Sequence, residues 1–132
     1  MAAELSAVNV EGETAWVLRE DLNALRKAKI DGPVVRLLPY FDTYLMGHKD
    51  RAHLIDVAHY KKVFRPAGWI APVVLVNGRV AGVWSQARTG RRLVVRCRPF
   101  GALPRTIRAR VEEEADDLAR FLDAAKVDVA FR

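Results

Sequence analysis

The run VVLVNGRVAGVWSQARTGRRLVVRCR, Val73 to Arg98, doubles back on itself twice. Asn77-Gly78 separates two strand-forming runs, and this pair accepts positive φ at both central positions, as a type I′ hairpin turn demands. A second turn at Arg88-Thr89-Gly90-Arg91 sends the chain back along Arg92 to Arg98. The first turn sets Leu75 opposite Val80, Val73 opposite Gly82 and Ala71 opposite Trp84. The second, read as a four-residue loop, sets Gln86 opposite Leu93, Trp84 opposite Val95 and Gly82 opposite Cys97. Both turns place Val73, Leu75, Val80, Trp84, Leu93 and Val95 on one face, so a three-stranded meander with one buried face is expected. Arg92, Arg96 and Arg98 fall on the other face, around Val94. Gly82 marks a bend where the sheet curls towards a barrel.

Working outward, Pro104 opens a helix running to about Ala124. Ile107, Val111, Ala115, Leu118 and Leu122 recur at the spacing of one core-facing stripe. Arg105, Arg108 and Arg110 stand in its first turns, where the helix dipole disfavours cations. Val127 to Phe131 alternates and reads as a last short strand. Upstream, residues 5–10 and 14–18 form a hairpin around Glu11-Gly12-Glu13. Leu22 to Leu25 is a short helix capped by the Asp21 carboxylate. Val34 to Leu38 is a buried strand closed by Pro39. Tyr40 to Met46 and Val57 to Phe64 each have room for one or two helical turns before Pro66 and Gly68 break the chain. The fold class is α+β: a curled antiparallel sheet, or partly open barrel, with short helices and a long C-terminal helix. With 132 residues and no linker or repeat, one domain over residues 1–132 is expected.

Charge narrows the partner. The chain carries 22 Lys+Arg and 16 Asp+Glu, a net +6. Residues 57–111 contain twelve basic residues and no acidic one, so this segment is +12 and the remainder, 10 − 16, is −6. Such asymmetry points to an anionic partner. The competing reading is a solvated basic face balanced by acidic residues of the helix. Arg outnumbers Lys 16 to 6, which suits bidentate phosphate contacts and would also follow from GC-rich coding.

No phosphate loop, dinucleotide fingerprint or His-Glu-x-x-His helix is present. His48, His53 and His59 lie five and six residues apart, not at a same-face helical spacing, so they read as surface histidines and no metal is expected. Asp42 and Asp50 suit turns and caps better than acid–base work. Cys97, the one cysteine, cannot form an internal disulfide and reads as a small buried hydrophobe. With no leader-like start and no apolar run near membrane length, the expected setting is reduced and cytoplasmic, and nucleoid-associated for a DNA binder.

Two runs carry a family likeness: RLLPYFDTYLMGHKDR, Arg36 to Arg51, and VFRPAGWIAPVVLVNGRVAGVW, Val63 to Trp84. With the EG-x-x-x-x-VL-x-EDL opening at Glu11, they resemble the C-terminal portion of the bacterial winged-helix DNA-binding superfamily that includes interstrand-crosslink-unhooking DNA glycosylases. The resemblance implies a β-barrel-like domain that follows tandem winged helices and helps cradle duplex DNA. It also implies that the glycosylase signature, Gln-x-Gln or Gln-x-Asp, lies on the winged-helix part. Gln86, the one glutamine here, is followed by Ala87 and Arg88, so no catalytic residue is assigned, and the chain is either an excised domain or a standalone protein. Asp42, Asp50 and Arg51 read as architectural, with an Asp-Arg step that pairs locally.

The leading expectation is a DNA-binding accessory domain that contacts duplex phosphates without a cofactor. Arg88, Arg91, Arg92, Arg96, Arg98, Lys61, Lys62 and Arg65 are its candidate contacts, with the Arg88–Arg92 tip approaching a groove. The alternative is an interaction domain whose basic patch packs on the winged-helix domains, without direct DNA contact. A small hydrolase or metal enzyme is a third reading that no motif supports.

Overall fold

A computed structural model describes residues 4–132, which form two compact units, up to Gly32 and Pro33–Arg132. In the first unit, β1 (Leu5–Val10) and β2 (Glu13–Leu18) make the expected hairpin, pairing Val10 with Glu13. A single 3-10 turn, Arg19–Asp21, leads into α1 (Leu22–Lys27). Asp21 stands at the cap position, but its side chain accepts no capping hydrogen bond. Its backbone is already helical (φ −83°, ψ −11°), because the 3-10 turn runs straight into the helix. A carboxylate reaches back to the N2 or N3 amide only from an extended cap residue.

The second unit begins with β3 (Val35–Leu38) and α2 (Thr43–Met46). A 3-10 turn at Val57–His59 precedes α3 (Tyr60–Val63). The strands β4 (Val73–Val76), β5 (Arg79–Thr89) and β6 (Arg92–Pro99), the helix α4 (Arg105–Phe121) and β7 (Lys126–Phe131) follow. The sheet order is β3-β4-β5-β6-β7. β3 to β6 pair antiparallel, whereas β7 pairs parallel to β6. The fully antiparallel expectation fails at this edge because the long helix α4 carries the chain back along the sheet, and a crossover of that kind delivers a parallel strand. β3 and β7 are the two free edges, so this sheet does not close into a barrel.

Asn77 and Gly78 adopt φ of 50° and 82°, the conformation expected of the turn. Asn77 also fixes β3: its Oδ1 accepts from the Val34 amide at 2.9 Å, and its own amide donates to the Val34 carbonyl at 2.8 Å. Leu75 pairs with Val80 as expected, but the register then shifts by one, so that Val74 faces Gly82 and Val73 faces Val83. Ala81 is the extra residue of this bulge, and such an insertion moves side chains to the opposite face. The second turn is shorter than expected. Thr89 pairs with Arg92, and Trp84 therefore lies opposite Cys97 instead of Val95. That slip is two residues, one full pleat repeat, so the faces assigned to β6 are unchanged.

The bulge gives the sheet two cores in place of one buried face. Val35, Val74, Trp84, Leu93, Val95 and Cys97 pack under Ile107, Val111, Ala115 and Ala119 of α4. Val73, Leu75 and Val80 pack on the other side, with Leu45, Leu54, Ile55, Val63 and Ile70. Trp84 is buried, and its Nε1 donates to the Leu38 carbonyl at 2.9 Å. On α4 the fourth buried residue is Ala119; Leu118 and Leu122 are half-buried at the margin. Glu114 secures the β3 edge, accepting from the Leu37 amide at 3.2 Å and pairing with Arg36 at 3.3 Å. Among the described residues no helix is long and apolar enough to cross a membrane.

Candidate nucleic-acid interface

On β6, Leu93, Val95 and Cys97 face the core, so Arg92, Val94, Arg96 and Arg98 project from the other side. β5 contributes Val83 opposite Arg98 and Ser85 opposite Arg96. A short loop rises beside them. The Arg65 amide donates to the Trp69 carbonyl at 2.8 Å, closing the turn Pro66–Gly68, in which Ala67 holds φ 60°. The Phe41 amide contacts the Ile70 carbonyl at 3.4 Å, bringing the Tyr40-Phe41 segment alongside.

The result is a cavity of about 290 Å³ lined by Tyr40, Arg65, Ala71, Pro72, Val83, Trp84, Ser85, Arg96 and Arg98. Three of its lining residues are arginines and none is acidic. Arg65 makes a long contact from its Nε to the Lys62 carbonyl, at 3.4 Å. Among the described residues, none of the three forms an ion pair. A larger groove of about 470 Å³ holds Lys49, Arg51 and Arg79 beside Asp50 and Asp56. Its mixed charge fits a polyanion poorly.

The eight expected contacts thus separate into groups. Arg65, Arg96 and Arg98 meet in the cavity. Lys62 is outside the cavity lining: its carbonyl accepts from Arg65, its Nζ lies 5.2 Å from the centre of the Phe100 ring, and Lys61 is exposed on the same short helix. The hairpin-tip arginines are engaged elsewhere. Arg88 donates from Nε to the Gly90 carbonyl at 2.8 Å and through its other nitrogens to the carbonyls of Leu122 and Asp123. It thereby caps the C-terminus of α4, where orphan carbonyls and the helix dipole favour a cation. Arg91 pairs with Asp123 at 3.6 Å and Arg92 with Asp128 at 2.6 Å.

Asp42 and Asp50 are turn residues, as expected: each accepts an amide hydrogen bond two residues on, from Tyr44 and Ala52. Arg51 does not pair with Asp50. It donates to the Tyr60 hydroxyl at 2.8 Å and lies 4.0 Å over the Phe64 ring. His48 and His53 meet edge to face at 4.6 Å, and His59 stacks on Phe100 at 4.3 Å. No group of three or more His, Cys, Asp or Glu among the described residues is placed to hold a metal ion. Cys97 is fully buried, and burial pushes its thiol up to about 11.

Sequence reasoning missed Tyr40 and Trp69. Their rings lie 5.1 Å apart, and Phe41 stands 5.0 Å from Trp69, both edge to face. All three are exposed, by 53, 43 and 43% for Tyr40, Phe41 and Trp69. Phe41 holds φ 55°, which costs a bulky L residue roughly 1–2 kcal/mol. The available signal was their position, directly after Pro39 and Gly68 and outside any strand alternation.

Comparison with known proteins gives the family. A family model described as DNA glycosylase AlkZ-like matches residues 1–121. The chain is 38% identical over 130 residues to an interstrand DNA cross-link repair glycosylase of Streptomyces sahachiroi, covering 98% of this chain and 34% of that protein. The solved structure of the Streptomyces sahachiroi DNA glycosylase AlkZ superposes with a TM-score of 0.79 at 40% identity, again over 98% of this chain and 34% of the other. The chain therefore spans about a third of the length of the relatives it matches, and it belongs to the AlkZ-like DNA glycosylase family.

Proposed function

We propose that this chain is a DNA-binding accessory module of a crosslink-repair glycosylase, gripping duplex phosphates through Arg65, Arg96 and Arg98, with Lys61 and Lys62 alongside. The winged-helix domains, and the residues that break the glycosidic bond, belong in this reading to the rest of a longer protein. The observation that carries it is the cavity itself, where three arginines meet with no carboxylate among its lining residues. Guanidinium groups left without acidic partners suit phosphate oxygens, and such contacts position a duplex without reading its sequence. Arg91 and Arg92, each already paired with an aspartate, add less. Arg88 holds the hairpin tip to the helix end.

Duplex affinity measured by fluorescence anisotropy at several salt concentrations tests the reading. Each phosphate neutralised contributes about 0.9 to the log–log salt slope. Replacing Arg65, Arg96 and Arg98 together by Ala should weaken binding and flatten the slope by about 2 to 3. An unchanged slope would remove the cavity from the DNA interface.

A further inference from the structure

We propose that Tyr40, Phe41 and Trp69 form a stacking platform for unpaired nucleobases, so that the arginine cavity takes DNA with unpaired bases in preference to intact duplex. The inference rests on the DNA-binding reading above and specifies the substrate class of that same site. Tyr40 lines the cavity with Arg65, Arg96 and Arg98. Trp69 lines a neighbouring groove of about 250 Å³ with Arg51 and Arg65, so Arg65 borders both hollows, and neither has an acidic residue in its lining. Aromatic rings beside a basic groove are the combination that holds single strands, because every base has a face to stack and every linkage a phosphate to pair. In an intact duplex the base faces are already occupied by their neighbours, so such rings gain nothing there.

The rings are also held in orientation. Trp69 meets Tyr40 at 63° and Phe41 at 78°, and the Arg65–Trp69 backbone hydrogen bond closes the loop beneath it. Phe41 and Ala67 both occupy left-handed backbone conformations in the two segments that present the trio. Folding alone does not favour strained backbone around half-exposed rings, whereas a fixed stacking surface uses both features.

Anisotropy with the full chain and three probes tests the proposal: a short single-stranded oligothymidylate, a blunt duplex and the same duplex carrying an unpaired bulge. The parent should prefer the single strand and the bulged duplex. Trp69→Leu should weaken those two by about 5- to 150-fold per stacked base lost, while blunt-duplex binding stays within about twofold and the salt slope is unchanged. Trp69→Phe, which keeps a ring, should retain most of the preference, and a thermal unfolding curve for each variant confirms that it folds. Equal loss on all probes, or no loss on any, overturns the platform while leaving the DNA-binding reading intact. Absence of a salt-dependent shift with any probe overturns both.

Discussion

Replacing Gly82 by Ala tests the β5–β6 contact that carries Arg98. A Cβ at Gly82 would stand 2.6 Å from the Arg98 carbonyl oxygen, 2.8 Å from the Pro99 Cα and 3.1 Å from the Arg98 carbonyl carbon. Ordinary contacts are about 3.5–4.0 Å, so the two strands would have to part by roughly 1 Å. All three obstacles are backbone atoms, and no rotamer change relieves them. The pairs Val83 with Arg98 and Trp84 with Cys97 resist the separation from next door. Overpacking costs about 1–3 kcal/mol, and backbone obstacles place this case in the upper half, at about 2–3 kcal/mol. At roughly 4 °C per kcal/mol for a domain of this size, the melting temperature should fall by about 8–12 °C. Circular dichroism melts measure it. Gly101→Ala is the control, since no heavy atom lies within 4 Å of a Cβ there. Because Arg98 moves with its carbonyl, Gly82→Ala should also weaken duplex binding. A melting temperature within about 2 °C of the parent would refute the close approach.

Leu93 is fully buried beneath α4, so Leu93→Ala should lose about 2–5 kcal/mol in urea unfolding. Arg88→Ala should lose about 1–2 kcal/mol, from its carbonyl hydrogen bonds and the helix-end charge, and leave the duplex salt slope unchanged. A flattened slope would return the hairpin tip to the DNA interface. The Cys97 thiol titrates near 9.0 when unfolded and near 11 in the fold, so above pH 9 the unfolded chain loses its proton first. Its contribution is therefore complete below about pH 9 and declines by about 1.4 kcal/mol per pH unit towards pH 11. Cys97→Ala should remove that share of the alkaline loss in urea titrations.

Much of the strand arrangement was legible because Asn77-Gly78 and the alternation of Leu93, Val95 and Cys97 are local signals. The two-residue error in the second turn was harmless, since a slip of one pleat repeat preserves faces. The bulge at Ala81 was not legible. Gly82 flagged an irregularity, but whether a glycine marks a bend, a bulge or a close approach depends on the neighbouring strand. The parallel edge was hidden for a similar reason: Val127 to Phe131 alternates equally well in either direction, and the helix before it sets the direction. For the interface, the segment without acidic residues was visible as composition. Its partition was not, because Asp123 and Asp128, which engage Arg91 and Arg92, lie some thirty residues away in sequence. Arg65 reaches Arg96 and Arg98 only through the fold.

Receipt of the phosphates by Arg65, Arg96 and Arg98 can be followed one side chain at a time. Nuclear magnetic resonance of the arginine Nε–Hε groups, during titration with a short duplex at low salt, reports each guanidinium separately. Arg65, Arg96 and Arg98 should shift together and return as salt is raised, while Arg88 stays fixed at the end of α4. Shifts confined to Arg88, Arg91 and Arg92, with Arg65, Arg96 and Arg98 unmoved, would put the phosphates at the hairpin tip and not in the cavity.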